Sequence, residues 1–357
     1  MKLGLGLYRH MLTQENFRFA RQLGVTHLVV HLADYFRNQS NLPGSTQSGW
    51  GAAGEGEIWS YEMLSDLRKA IQAEGLELEA IENFDPSQWY DVLLDGPRKV
   101  EQMENLKQLI RNVGKAGIPI FGYNFSIAGV WGHVRGNWAR GGAETVAFLG
   151  KDGLEETPIP NGMVWNMVYD PSAPPGTIGE VTQEQLWERL KFFLDEILPV
   201  AEEAGVRMAA HPDDPPMPVL RGTARLVYQP HLYQKLLDLH PSPASACEFC
   251  LGTIGEMAQG DIYQAVDQYS RQGKLAYVHF RNVRGKVPRY YEVFLDEGDL
   301  DMLRILRILK DNHYHGVLIP DHTPSLACDA PWHAGMAFAL GYIRAALSML
   351  ERNEGNI

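Results

Sequence analysis

The chain has 357 residues, 45% hydrophobic and 21% charged, the balance of a folded globule rather than a disordered chain. Its 32 basic and 44 acidic side chains give a formal charge of −12, and no Lys/Arg cluster offers the basic face that nucleic acid or an acidic membrane surface requires. Cys247, Cys250 and Cys328 are too few for a disulfide framework. With no signal-like start and no apolar run of about 20 residues, the expected setting is cytoplasmic.

In chain order, apolar or β-branched runs predict strands at Leu3–Leu7, His27–His31, Glu77–Glu82, Pro119–Asn124, Arg207–His211, Ser245–Cys250, Leu275–Phe280 and Gly316–Asp321. Most are continuously apolar, as strands covered on both faces are. Helical periodicity fills the intervals at about Glu15–Leu23, Tyr61–Glu74, Lys99–Lys115, Gln183–Ala204, Pro230–Leu239, Asp261–Gln272, Leu300–Asn312 and Pro331–Glu351. In the fourth of these, Leu186, Leu190, Phe193, Leu194 and Ile197 form the buried stripe, Thr182 and Gln185 a capping box, and Gly205 the stop. Eight alternations predict an α/β fold, a single (β/α)8 TIM barrel over residues 1–357. An open doubly wound sheet lacks its glycine fingerprint, because Gly4-Leu5-Gly6 is incomplete. Two stretches, at about 37–59 and 126–180, exceed a minimal barrel. Both follow strand ends on the catalytic face, so long irregular loops covering the mouth are expected there.

Four candidate metal ligands stand at the ends of four consecutive strands: His211 on the fifth, Cys250 on the sixth, His279 on the seventh and Asp321 on the eighth. Barrel closure brings such ends together. Imidazole, thiolate and carboxylate suit one divalent transition metal, and the mixed set admits Zn²⁺, Mn²⁺ and Fe²⁺. Taken singly, a His or Cys at a strand end is more often packing, and Asp321 alone could cap a loop. The shared register decides for coordination. Residues three apart on a strand face opposite ways, so Cys247 turns away from Cys250. Glu82 and Asn124, ending the third and fourth strands, are candidate hydroxyl binders. Arg281 either meets a substrate carboxylate or joins a buried ion pair. His322, beside Asp321, is a candidate general acid or base, weighed against a rim histidine. Trp50, Trp59 and Trp131 are expected to pack loops.

Further segments fall in a telling order: Gly56-Glu57-Ile58-Trp59-Ser60, Tyr123-Asn124-Phe125, the run Pro199 to Pro216, Cys250-Leu251-Gly252-Thr253, His279-Phe280-Arg281, Gly298-Asp299-Leu300-Asp301-Met302 and Pro320-Asp321-His322. In these the chain resembles the mannonate dehydratases, metal-dependent barrel enzymes of hexuronate breakdown related in architecture to xylose isomerase. The resemblance implies that His211, Cys250, His279 and Asp321 hold one metal ion, Mn²⁺ or Fe²⁺ first, with Co²⁺, Ni²⁺ or Zn²⁺ as alternatives. It also implies that His322 is catalytic, and that a sugar acid such as D-mannonate loses water to give a 2-keto-3-deoxy acid. Two departures stand out. The family's Asp-Trp-Thr-Arg stretch reads Val130-Trp131-Gly132-His133, and His333 stands where a tyrosine is expected, with Phe338 for a nearby arginine. His333 is therefore the reserve candidate for a second proton-transfer group. The alternative reading is a metal-dependent isomerase or epimerase of a neutral sugar, which needs no carboxylate-binding arginine. Either way the partner is a small sugar acid or sugar, and a homo-oligomer is left open.

Overall fold

A computed structural model describes residues 1–37, 51–150 and 157–352. Its eight parallel strands close into a barrel: Lys2–Leu7, His27–Val30, Glu77–Glu82, Ile120–Tyr123, Arg207–Ala210, Ser245–Cys250, Leu275–His279 and Val317–Ile319. Each pairs with its successor, and the last returns to the first through Lys2 opposite Val317 and Leu3 opposite Leu318. All eight expected strands are present, several ending one or two residues early. His211 thus opens a loop directly after its strand, and Asp321 follows Ile319 by two residues.

Val29, Ala80, Ile120, Ala209, Ala246, Ala276, Tyr277, Val317 and Ile319 form an apolar cluster of their own, which fills the barrel. Leu28, Ile81, Phe121, Met208, Val278 and Leu318 belong to the larger layer between strands and helices. The helix Gln183–Ala204 shows how sequence places that layer. Gln185 N donates to Thr182 Oγ1 at 3.3 Å while Thr182 N donates to Gln185 Oε1 at 2.9 Å, and Gly205 closes the helix in the left-handed region (φ 68°). Leu186, Leu190, Phe193, Leu194 and Ile197 are all buried, Phe193 against Phe84, Trp89, Tyr123 and Phe125. Thr182→Ala should therefore destabilise the protein by about 1 kcal/mol with activity intact. Urea unfolding checks this, and an unchanged midpoint would show the cap to be idle.

Two helices were not expected. Pro86–Leu94 starts on an Asp85–Gln88 capping box with proline in its first turn, and Leu251–Glu256 follows Cys250 immediately. The expectation of irregular loops is also corrected. His133–Ala139 and Ala143–Phe148 form a hairpin that pairs with a second hairpin, Asn282–Lys286 and Arg289–Val293, in a four-stranded antiparallel sheet beside the barrel. The first hairpin turns through Arg140–Gly142 and the second through Val287-Pro288. Of the stretch 37–59, residues 38–50, Trp50 among them, lie outside the described residues. The remainder is tied down, with Gly54 N donating to Asp85 Oδ1 at 2.9 Å and Trp59 buried beside Phe121. Among the described residues no helix is long and apolar enough to cross a membrane.

Candidate active site at the barrel mouth

A cavity of about 770 Å³ lies over the C-terminal strand ends. His31, Glu82, Asn124, His211, His279, Asp321 and His322 line it from the barrel, while Val130, Trp131, His133, Val134, Thr145, Val146 and Trp165 line it from the segment after the fourth strand.

At its floor the ligating atoms of His211, Cys250 and His279 lie within 4.8 Å of one another. The second nitrogen of each imidazole shows which atom is free. His211 Nδ1 donates to Pro212 O at 2.6 Å, leaving Nε2. His279 Nε2 lies 3.2 Å from both Glu82 Oε2 and Glu248 Oε1, leaving Nδ1. That Nδ1 is buried without a hydrogen-bond partner among the described residues, and Asp321 Oδ2 stands 3.5 Å away. An orphaned imidazole nitrogen facing a thiol, a second imidazole and a carboxylate is what a divalent cation satisfies, and outer carboxylates commonly orient such a histidine. The residues fit the group.

The electrostatics agree. Burial pushes the Cys250 thiol up, but Arg281, whose Nη2 lies 3.3 Å from Sγ, and the facing imidazoles of His211 and His279 hold it well below the ordinary thiol range. Asp321 is raised by burial and brought well below the ordinary carboxylate range by His322 and His279. Its backbone is left-handed (φ 59°), a conformation that aspartate adopts more readily than most residues. Behind His279, burial and the charge of Glu82 raise Glu248, whereas His31 and His279 outweigh burial to keep Glu82 low. Glu248 therefore holds a proton while Glu82 is ionised. A Cβ on Gly122 would stand 2.4 Å from Glu248 Oε2, so glycine makes room for this acid.

Of the other predicted residues, Asn124 lines the cavity, donating to Pro212 O at 3.2 Å and accepting from Trp165 Nε1 at 3.2 Å. Arg281, a candidate substrate binder, is buried beneath the cavity and does not line it. It pairs with Glu292 and with Asp214 at 2.9 Å, so the ion-pair alternative describes it. His322 lines the cavity with its side chain 36% exposed, donating from Nδ1 to Glu292 Oε2 at 2.6 Å. Burial lowers its proton affinity, but Asp321 and Glu292 outweigh this and raise it. His333 is not at the mouth. It sits in the first turn of Pro331–Arg352, its Nε2 3.0 Å from Asn16 Oδ1 and its ring against Phe19 and Trp332, because that turn packs on the helix Gln14–Gln22. His333→Phe should accordingly keep turnover within about twofold of wild type, as substitutions away from a site do. A steady-state assay measures it, and a hundredfold loss would return His333 to the mechanism.

Sequence reasoning missed His31, His133, Asp214, Glu248, Tyr290 and Glu292. Two were legible. Glu248 shares a strand face with Ala246 and Cys250, and Asp214 stands three residues beyond His211 in the same run. Tyr290 and Glu292 sit on the unexpected second hairpin.

A family model described as D-mannonate dehydratase matches residues 49–352. A mannonate dehydratase from Streptococcus equi subsp. zooepidemicus is 31% identical over 277 residues, 75% of each chain. One from Geobacillus thermodenitrificans is 30% identical over 287 residues, 75% of this chain and 76% of the relative. The solved structure of mannonate dehydratase from Streptococcus suis serotype 2 superposes with a TM-score of 0.79 at 25% identity, across 99% of this chain and 95% of that one. An L-ribulose 3-epimerase matches with a TM-score of 0.56 at 15% identity over 99% and 97%, a likeness of fold alone.

Proposed function

This chain belongs to the mannonate dehydratase family, and we propose that its barrel mouth removes water from a 2,3-dihydroxy sugar acid such as D-mannonate. The observation that carries the reading is the orphaned Nδ1 of His279 among Cys250, His211 and Asp321, in the same cavity as His322. A divalent cation held by His211, Cys250, His279 and Asp321, Mn²⁺ or Fe²⁺ first, supplies Lewis-acid stabilisation of charge building on the substrate carboxylate.

The chain's own residues supply the rest. A base at the mouth takes the C2 proton, the C2–H electron pair forms the C2–C3 double bond, and the C3–O bond breaks. His322, whose protonated form Asp321 and Glu292 favour, gives its proton to the departing hydroxyl, which leaves as water. The enol then ketonises to the 2-keto-3-deoxy acid. Glu82 and Asn124 offer hydroxyl contacts from the wall, and Val130, Trp131, Val134, Val146 and Trp165 limit water above.

A panel of sugar acids and neutral sugars incubated with Mn²⁺-loaded protein tests the proposal. Periodate–thiobarbiturate colour should arise from an acid. Conversion of neutral sugars alone, without that colour, would point to the isomerase chemistry instead.

A further inference from the structure

We propose that His133 is the base that takes the C2 proton, positioned by Tyr290 and Asp214; the assignment rests on the dehydratase reading above. His133 opens the strand His133–Ala139, and the side sheet holds it over the mouth. Phe148 is the cross-strand partner of both His133 and Tyr290, so the three stand in one row across three strands. The ring of His133 lies edge-on to both neighbours, while Phe148 and Tyr290 stack. Its orientation is thereby set by packing.

Hydrogen bonding then sets its tautomer. Tyr290 Oη donates its one proton to Asp214 Oδ1 at 2.9 Å, and His133 Nε2 lies 2.5 Å from the same oxygen. That oxygen must accept from His133, so the imidazole proton sits on Nε2 and Nδ1 carries a lone pair. Nδ1 has no partner among the described residues, and His133 lines the cavity. Burial lowers the proton affinity of His133 against the pull of Asp214 and Glu292, so the ring rests neutral, as a base must.

Asp214 completes the file. Arg281, hydrogen-bonded to it at 2.9 Å, outweighs the burial that would protonate it, so it stays ionised, 3.5 Å from His133 Nε2. When Nδ1 takes the C2 proton, the new positive charge faces this carboxylate directly and through Tyr290. A carboxylate orienting a catalytic imidazole in Ser-His-Asp sites acts in the same way. Across the reaction His133 gains one proton and His322 gives one up, so the protein returns to its starting state by exchange with solvent. His31, the other unassigned histidine of the cavity, turns its two nitrogens to Tyr35 and to the Glu82 carboxylate. Its Nδ1 is 3.0 Å from Tyr35 Oη and its Nε2 is 3.7 Å from Glu82.

The experiment begins with metal-loaded wild type, because failure to dehydrate any sugar acid would sink the parent reading and not this one. Given an active wild type, His133→Gly should keep its metal and unfolding midpoint but lose turnover by roughly 10²–10⁴-fold. Added imidazole should restore activity in proportion to its free base. Near-normal turnover, or a loss that imidazole leaves untouched, would overturn the assignment; rescue that tracks imidazolium would make His133 an acid. Should His133→Gly not fold, His133→Gln answers through C2-deuterated substrate: a primary isotope effect larger than wild type supports the base, an unchanged one contradicts it. Tyr290→Phe should lower kcat with KM nearly constant. A raised KM with kcat intact would make Tyr290 a binding residue.

Discussion

His322→Asn should retain stoichiometric metal yet lose turnover by roughly 10²–10⁴-fold, the range for removing a general acid or base. The residue lines the cavity beside the ligand cluster, and it differs from the ligands in exposure and in partner. Its side chain is 36% exposed and tied at Nδ1 to Glu292, whereas His279 is buried and its Nδ1 has no hydrogen-bond partner among the described residues. Asparagine is smaller and uncharged, so Glu292 keeps Arg281 as its ion partner and the variant should fold. Metal analysis with steady-state kinetics separates the outcomes. Loss of metal would make His322 a ligand; near-normal turnover would make it a rim histidine.

The second large effect is expected from the ligands. A His211→Ala, Asp321→Asn double mutant should lose stoichiometric metal and, with it, turnover. Asparagine is chosen at 321 because the backbone there is left-handed, which alanine adopts at a cost of about 1–3 kcal/mol. Folding should persist, since the barrel interior from Val29 to Ile319 is a separate apolar cluster that does not include the ligands. Elemental analysis and circular dichroism check both halves. Unchanged metal occupancy in a folded mutant would remove these residues from the site.

The barrel was legible because its signals are local and repeated. Continuous apolar runs such as Leu275–His279 and the capped, striped helix Gln183–Ala204 each announce themselves within one window of sequence. The convergence of His211, Cys250, His279 and Asp321 was legible for a related reason, as strand ends in a closed barrel converge whatever their separation along the chain. The side sheet was not read because its two hairpins are 157 residues apart at His133 and Tyr290, and neither covers enough apolar surface alone to declare its partner. His133 illustrates the consequence. In sequence it is a departure from the Asp-Trp-Thr-Arg pattern; only pairing across Phe148 puts it against Tyr290 and Asp214. Arg281 failed for the opposite reason. It lies two residues beyond the strand Leu275–His279, and its burial among Asp214, Glu256 and Glu292 depends on segments that the strand's own pattern does not describe. His333 failed because a position inferred across a loop did not show that its helix turn packs on Asn16 and Phe19.

The central claim, that this mouth dehydrates a sugar acid, meets its most direct test in product identity. D-mannonate incubated with Mn²⁺-loaded protein in D₂O should yield, by NMR, a 2-keto-3-deoxy acid carrying one deuterium at C3, where the enol takes its proton from solvent. A product that keeps all its hydroxyl groups, epimerised or isomerised, would contradict the account.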